Sequence, residues 1–539
     1  MKSSFSHAEC YWQYLQNCAL ELSAVTLANI SSILENTSWD TPVSILDWNN
    51  LAVIALIEAE QCGDNLAMRS VYLEMACDAL NNGVELGSHP LCVTHIALIH
   101  SMLGEAEEAM QMAFSTFINT LQPAYSNSTE DVSLGLIYLP ATKSSWPSRR
   151  HEHDSLELIL QAEDGYQESL LLLSEVLCRS QLVFYNATGR RLLHLAAQLL
   201  PHSVSIWLKL GISSLMSGQL EGLLYLHRAR HLAPSYAPTL QALYLVYQDL
   251  KQIELADFWL KIARSFHQQN SNSPDWYWTR AVGDSSLTYV PFEDSLIMAV
   301  EASLHSIVTS VLVAEGNWFE KEMEFWRSWI KPGMTVIDVG ANVGVYTFSA
   351  ARQVGPEGRV LAVEPFSKCI SCLQETCKIN QLSWVTVCIG AASNRNGTLQ
   401  LLLHSASELN EIVSDDVAAN TPTGSFEKVN CFTLDSLVEQ ENLATIDFLK
   451  IDAEGHEMAV LEGSNRILTQ FEPVILYENI GGSQGSNSQV AEYLNNKGYK
   501  LFRYQPYKQE LIPVNSNEDC QGQLNLIAMP LHQISNLSL

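Results

Sequence analysis

Thr335-Val-Ile-Asp-Val-Gly-Ala-Asn-Val-Gly-Val-Tyr-Thr-Phe348 reads as an apolar strand that runs into a glycine turn and leaves it as a helix. Val336, Ile337 and Val339 supply the β-branched run of a strand covered on both faces. Gly340 and Gly344 bracket the turn, and Tyr346 to Ala351 resumes at helical spacing. In such a strand-turn-helix the backbone can approach a ligand closely, and the amides of the helix N-terminus are expected to be free to point at it.

The spacing separates two cofactor classes. A dinucleotide fingerprint needs G-x-G-x-x-G, but Asn342 and Val345 stand at its second and third glycine positions. Asp338-x-Gly340-x-x-x-Gly344, preceded by Lys331-Pro332-Gly333, instead resembles the first motif of class I S-adenosylmethionine (SAM) methyltransferases. An acidic residue at the first position suits a ligand carrying an ammonium and a sulfonium and would repel a pyrophosphate. Cofactor contacts are therefore expected at Asp338, Gly340, Ala341, Asn342 and Gly344.

Further on, Val354 to Gly358 is a turn and Arg359 to Val363 a second apolar strand, ending in Glu364-Pro365. A carboxylate at that strand tip, 20 residues beyond Gly344, is placed to accept both hydroxyls of a ribose. A helix (Ser367 to Asn380), a strand (Val385 to Gly390) and the small-residue loop Ala391 to Gly397 follow, with Ala392 and Ser393 candidates to pack on an adenine ring.

Four segments together resemble the FkbM family of SAM-dependent methyltransferases. They are Asp338-Val-Gly-Ala-Asn-Val-Gly344, Gly355-Pro-Glu-Gly-Arg-Val-Leu-Ala-Val-Glu-Pro365, Thr433-Leu-Asp-Ser-Leu437 and Lys450-Ile-Asp-Ala-Glu-Gly-His-Glu457, and the likeness covers about residues 285 to 510. The resemblance implies an α/β class I domain with a doubly wound, mostly parallel sheet. It implies SAM as donor and O-methylation of a hydroxyl on a small molecule, secondary metabolite or glycan.

At 539 residues the chain is long enough for two or three domains. Its formal charge of −29 is shared by both parts, with 15 basic against 29 acidic residues in 1–284 and 15 against 30 in 285–539. That field disfavours nucleic acid and anionic membrane, both of which require a basic footprint. Neither a signal-like segment nor a membrane-length apolar run is visible, so a cytoplasmic location is expected. The 12 cysteines are scattered, and Cys369-x-x-Cys372 with Cys377 lies on one helix, so core thiols are expected rather than disulfides or metal.

The organisation expected is helical, degenerate repeat-like 1–122; a loop-rich insertion 123–164; helical repeats 165–268; a linker 269–284; and the methyltransferase-like domain 285–539. Gly222/Ala256, Leu226/Leu260 and Ala229/Ala263 recur at 34 residues, with small residues at the tight contact, which resembles tetratricopeptide (TPR) repeats. Inside the insertion, Gly135-Leu-Ile-Tyr-Leu-Pro140 is a candidate short strand, and His151/His153 read as a solvated turn. Trp276-Tyr277-Trp278 should pack at the joint. Leu287 to Phe292, Leu296 to Glu301 and Ile307 to Ala314 read as strands that roof the pocket. Trp318 to Ile330 reads as an amphipathic helix whose Glu320, Glu322 and Glu324 form a solvated face.

Methyl transfer mainly requires that the acceptor oxygen be aligned and its proton removed. In an open parallel sheet ligands sit beyond the strand carboxyl ends, which here offer Asp338, Glu364, Asp452 and Glu478-Asn479. Lys450, inside an apolar strand, needs a carboxylate partner, for which Glu478 is the candidate. Asp452 is expected beside donor and acceptor. Two accounts of the base stay open: His456 or Glu454 takes the proton directly, or Asp452, Glu478 and Asn479 hold Mg²⁺, an arrangement that resembles the catechol O-methyltransferases. The polar stretch Asn410 to Phe426 is a candidate lid. The helical repeats suit recruitment of a protein partner or carrier. The alternatives are an interaction scaffold whose domain binds SAM without turnover, and a protein methyltransferase whose substrate the repeats deliver.

Overall fold

A computed structural model describes residues 6–87, 89–121, 133–140, 153–180, 184–269, 273–280, 286–293, 296–404, 406–413, 425–480, 487–516 and 519–534. The chain divides into two compact units, Met1–Thr239 with Pro506–Gln509, and Leu240–Gln505 with Glu510–Leu539. The division falls inside the helix Ala237–Asp249, well before the linker expected at 269–284. The reason is polar and aromatic pairing within the second unit. Gln241 donates to Thr288 (3.0 Å) and to the Tyr289 carbonyl (2.9 Å), Asp249 accepts from the Leu304 amide (2.9 Å), and the Trp278 ring lies 5.4 Å from that of Tyr244.

The first unit is helical: His7–Asn17, Ala24–Asn36, Ile45–Gln61, Leu66–Leu86, Pro90–Met102, Ala106–Thr120, His153–Leu160, Gly165–Arg179, Ala187–Leu199, Val204–Met216 and Gly222–Leu232. Ser6 with Glu9 and Ser44 with Asp47 form capping boxes that satisfy the first amides of their helices. Val204–Met216 and Gly222–Leu232 cross closely enough that a Cβ on Gly222 would stand 2.5 Å from the Gly211 carbonyl. The insertion expected at 123–164 contains the helix His153–Leu160, while the His151 position lies outside the described residues, as does the His153 side chain.

Residues 133–140 join no sheet among the described residues, and Gly135 to Leu139 lie in the interior of the first unit. Leu136, Ile137 and Tyr138 are fully buried. Buried backbone must find partners, and here helix side chains supply them. Glu168 accepts from the Gly135 amide (3.0 Å), and Asn50 from that of Leu136 (2.8 Å). Asn49 donates to the Leu136 carbonyl (3.0 Å), and His95 accepts from the Tyr138 amide (3.3 Å). The Tyr11 and Tyr14 hydroxyls each accept an amide and donate to a carbonyl, at Ile137 and Leu139 respectively.

The second unit is built on an eight-stranded sheet. Its strands are β3 (Thr335–Val339), β4 (Arg359–Glu364), β5 (Val385–Ile389), β10 (Phe448–Ile451), β11 (Val474–Glu478), β12 (Tyr499–Gln505), β13 (Glu510–Pro513) and β14 (Asn525–Pro530), in the order β13-β12-β14-β11-β10-β3-β4-β5. From β5 to β11 every pair is parallel, and β14 runs antiparallel between β11 and β12. The doubly wound, mostly parallel sheet read from the sequence is present. The chain passes outward through β4 and β5 and returns to the other side of β3 at β10, so the topological switch point lies between β3 and β10.

Three expectations around this sheet need correction. The hairpin of β1 (Leu287–Phe292) and β2 (Leu296–Glu301) packs on the helix Ser367–Asn380, with Asn380 bonded to both backbone groups of Ile297 and Thr376 to the Ala299 amide, rather than roofing a pocket. Ile307–Glu315 is a helix, capped by Ser306 and ended by the left-handed Gly316; buried on nearly every side, its apolar run carries no period that distinguishes strand from helix. A second sheet of order β6-β9-β7-β8 joins Ala391–Ala392, Ser425–Phe432, Gly397–Leu403 and Glu411–Val413, so both ends of the expected lid are strand, and its middle, 414–424, lies outside the described residues.

Candidate functional site

The tips of β3, β4, β10 and β11 converge at the switch point. Gly340, just past β3, has φ +74°, and a Cβ there would stand 1.7 Å from the carbonyl oxygen of Asp452, just past β10. The two tips therefore touch backbone to backbone, and only glycine permits it. The amides of the turn itself, before the helix Val345–Val354, are engaged within the protein. Those of Gly340 and Ala341 donate to the Val363 carbonyl, Asn342 to Glu364, Val343 to the Asn342 side chain and Gly344 to the Ala341 carbonyl. The turn is a hydrogen-bonded lip bordered by the carboxylates of Asp338, Glu364 and Asp452.

Glu364 ends β4 with its carboxylate spanning two amides, accepting from Asn342 (2.7 Å) and from Phe366 (2.8 Å). Burial pushes it up to about 7 against the pull of those two amides. Its remaining lone pairs face the same tip region and can accept hydroxyls.

Asp338 and Asp452, both expected to meet ligand, differ sharply in exposure. Asp338 is fully buried, accepting from the Thr347 hydroxyl (2.6 Å), whereas Asp452 is about one-third exposed (31%). Lys450 joins them: its ammonium donates to Asp452 (2.9 Å) and lies 3.8 Å from Asp338, not on Glu478 as the sequence suggested. The register pairs Lys450 with Asp338 across β10 and β3, which brings the charges together. Burial alone would lower the Lys450 pKa; Asp452, Asp338 and Glu320 together hold it above the usual lysine range. A ring at 4.6 Å, that of Tyr346, covers the ammonium.

Residues missed by the sequence reading complete this arrangement. The Tyr346 hydroxyl donates to Glu320 (2.5 Å), which also accepts from the Trp318 indole (2.8 Å) and from Asn525 (2.9 Å). Glu322 is buried, and burial pushes it up to about 7. Neither glutamate belongs to the solvated face expected of them, because the helix Glu322–Trp329 starts later than predicted and Glu320 precedes it. Glu457 locks the turn after β10 by accepting from the Ala453 and Gly455 amides (both 3.0 Å) and from Asn487 (3.1 Å). The lysine in an apolar strand was the one sequence signal for this network.

Ala392 and Ser393 are 4% and 2% exposed, within or beside β6 rather than on an open loop. The Ser393 hydroxyl shares a hydrogen bond with Nε2 of His456 (3.0 Å), and burial lowers the imidazole, which favours its neutral form. Burial, then Asp452 and Glu457, push Glu454 up to about 8, so it holds a proton at neutral pH. Glu478 is pushed up to about 11 by burial and then by Asp452 and Glu454. Asn479 is turned away into structure, donating to the Cys520 and Gln523 carbonyls (both 2.8 Å). The acids that converge are Asp452, Glu454 and Glu478, their nearest oxygens within 4.8 Å of one another. Glu454 joins the two acids expected there, and Asn479 keeps its Oδ1 buried without a partner among the described residues.

Residues 338–501 match the family model described as Methyltransferase FkbM domain. The methyltransferase sdnD of Sordaria araneosa is 26% identical over 194 residues, which cover 31% of this chain and 74% of that protein. Among solved structures, a methyltransferase FkbM from Methylobacillus flagellatus aligns at 15% identity over 42% of this chain and 54% of its own, with a TM-score of 0.25. A SAM dependent methyltransferase from Aquifex aeolicus aligns at 16% identity over 39% and 90%, with a TM-score of 0.23. The chain spans about half the length of the first of these structures.

Proposed function

We propose that the second unit, which carries the FkbM methyltransferase match, transfers the methyl group of SAM to a hydroxyl of a small molecule or glycan. The observation that carries this reading is the convergence of Gly340, Glu364 and Asp452 at one switch point, with the turn amides already used. That lip suits a ribose and a cationic methionine and disfavours a pyrophosphate. Glu364 holds the ribose hydroxyls, Gly340 to Gly344 form the close wall, and Asp338 acts through Lys450 rather than by touching ligand.

SAM supplies a methyl group on a sulfonium, already activated for in-line displacement. The acceptor O–C bond forms as the S–C bond breaks, and the hydroxyl proton must leave to a nearby base. Asp452 is the first candidate, since it is exposed at the tip and fixed by Lys450. His456 is second, its Nε2 being engaged with Ser393. Glu454 holds a proton near neutral pH and must lose it before it can act as the base. In the same proposal the helical unit, read as TPR-like, recruits a protein partner or carrier. No helix among the described residues is long and apolar enough to cross a membrane.

The test is calorimetric titration with SAM of the protein and of Glu364→Ala, followed by transfer of labelled methyl to hydroxyl and amine acceptors. Micromolar binding weakened at least about tenfold in the variant supports the reading; a folded protein that does not bind SAM removes it. A second outcome concerns pH. A carboxyl raised in the folded state contributes stability that is complete below its unfolded value and lost as the pH climbs through about 7. The ionised form holds the ribose, so SAM affinity should run the opposite way, weakening up to about tenfold per unit as the pH falls below that value. Glu364→Gln should flatten the profile; an unchanged slope would place the titrating group elsewhere.

A further inference from the structure

We infer that Asp452, Glu454 and Glu478 form a divalent-cation site of the oxygen-ligand class, on the acceptor side of the strand tips. The inference rests on the methyltransferase reading for its purpose but not for its geometry. Three carboxylates offer one oxygen each within 4.8 Å of one another. Oxygens on a single ion are separated by at most twice the metal–oxygen distance, about 4.2 Å for Mg²⁺ and about 5 Å for Ca²⁺. The cluster therefore fits a Ca²⁺-sized ion as it stands, and a closure of about half an ångström would admit Mn²⁺ or Mg²⁺.

Acidic groups gather at protein surfaces without any ion, so the second observation decides. Glu478 is only 9% exposed, and its Oε2 is buried with no hydrogen-bond partner among the described residues. A buried polar oxygen without a partner is costly whether or not the carboxyl is ionised, and it belongs to the side chain that reaches into the cluster. The cations and donors nearby are otherwise engaged. Lys450 is shared between Asp452 and Asp338, and Asn487 donates to Glu457 rather than to Glu478. Asp452 keeps one oxygen on Lys450 and has the other to give, so that with an ion bound the acceptor proton goes to His456 rather than to Asp452. A divalent ion would satisfy Glu478, offset the repulsion among three acids and leave positions for water and an acceptor oxygen.

The experiment is a titration of EDTA-stripped protein with Mn²⁺, followed by the loss of the free-ion paramagnetic signal. It is run on the wild type, Glu478→Gln, Glu454→Gln and, as a control, the exposed Glu439→Gln. One Mn²⁺ per chain is expected, with affinity reduced by about tenfold or more in the first two variants and unchanged in the control. Absence of stoichiometric binding to the folded wild type overturns the inference, as does binding that survives both substitutions. Should Glu478→Gln not fold, the more exposed Glu454→Gln decides alone. A parallel SAM titration separates the two readings. SAM bound without Mn²⁺ removes the cation site and leaves the methyltransferase, and Mn²⁺ bound without SAM does the reverse.

Discussion

Gly340→Ala is expected to abolish measurable SAM binding and to lower the melting temperature by roughly 6–12 °C. The added Cβ would lie 1.7 Å from the backbone oxygen of Asp452, and the position has φ +74°. Neither partner is a flexible side chain, so the tips of β3 and β10 must part. Left-handed strain and forced backbone movement together cost about 3 kcal/mol or more. Gly333→Ala is the control, because Gly333 has φ +84° but nothing within 4 Å of its Cβ position. It carries the conformational strain alone. Calorimetry with SAM and thermal unfolding of both variants would check this, and normal SAM affinity in Gly340→Ala would mean that the cofactor does not use this turn.

Lys450→Met should destabilise the second unit by about 3–5 kcal/mol, because it leaves Asp338 charged, fully buried and unpaired. Asp338 would answer by taking a proton. Burial already raises its carboxyl in the presence of Lys450, and removing the lysine raises it further. A raised carboxyl favours the folded state at low pH, so the loss should be smaller at pH 5 than at pH 8. The double variant Lys450→Met/Asp338→Asn should recover most of it. Urea unfolding at the two pH values checks both statements, and a single variant as stable as wild type would show that Lys450 does not bind the two strands together.

These residues also show how far the sequence could be read. The strand tips were legible because β3, β4 and β10 are short β-branched or aliphatic runs ending in glycine or acid, and burial on both faces demands that composition. The order of the sheet and the pairing of Lys450 with Asp338 were not, since register is set by partners far apart in the chain. Ile307 to Ala314 was read as a strand although Ser306 and Gly316 carry the end signals of the helix Ile307–Glu315. Glu320 and Glu322 were placed in solvent because acidic residues in a helix-like pattern usually are; their burial depends on Tyr346 and Asn525, which no local pattern reveals. Glu454, on a left-handed turn residue at φ +48°, reaches Asp452 and Glu478, a meeting that the chain's local pattern does not reveal.

The buried segment around Leu136 to Leu139 bears on how the first unit is made on the ribosome. Asn49, Asn50 and His95 are buried polar side chains on the helices Ile45–Gln61 and Pro90–Met102. They hydrogen-bond backbone groups that emerge from the ribosome 43 to 87 residues later. Until Tyr138 arrives, these side chains have one another and Thr37 as partners, and each bond to the segment that is missing from a closed helix pair would cost about 1–3 kcal/mol. The late segment therefore adds the bonds that complete the polar pairing of these helices. A chain cut after Leu121 would lack its keystone, and this half of the protein becomes a folded object only once its middle has been translated.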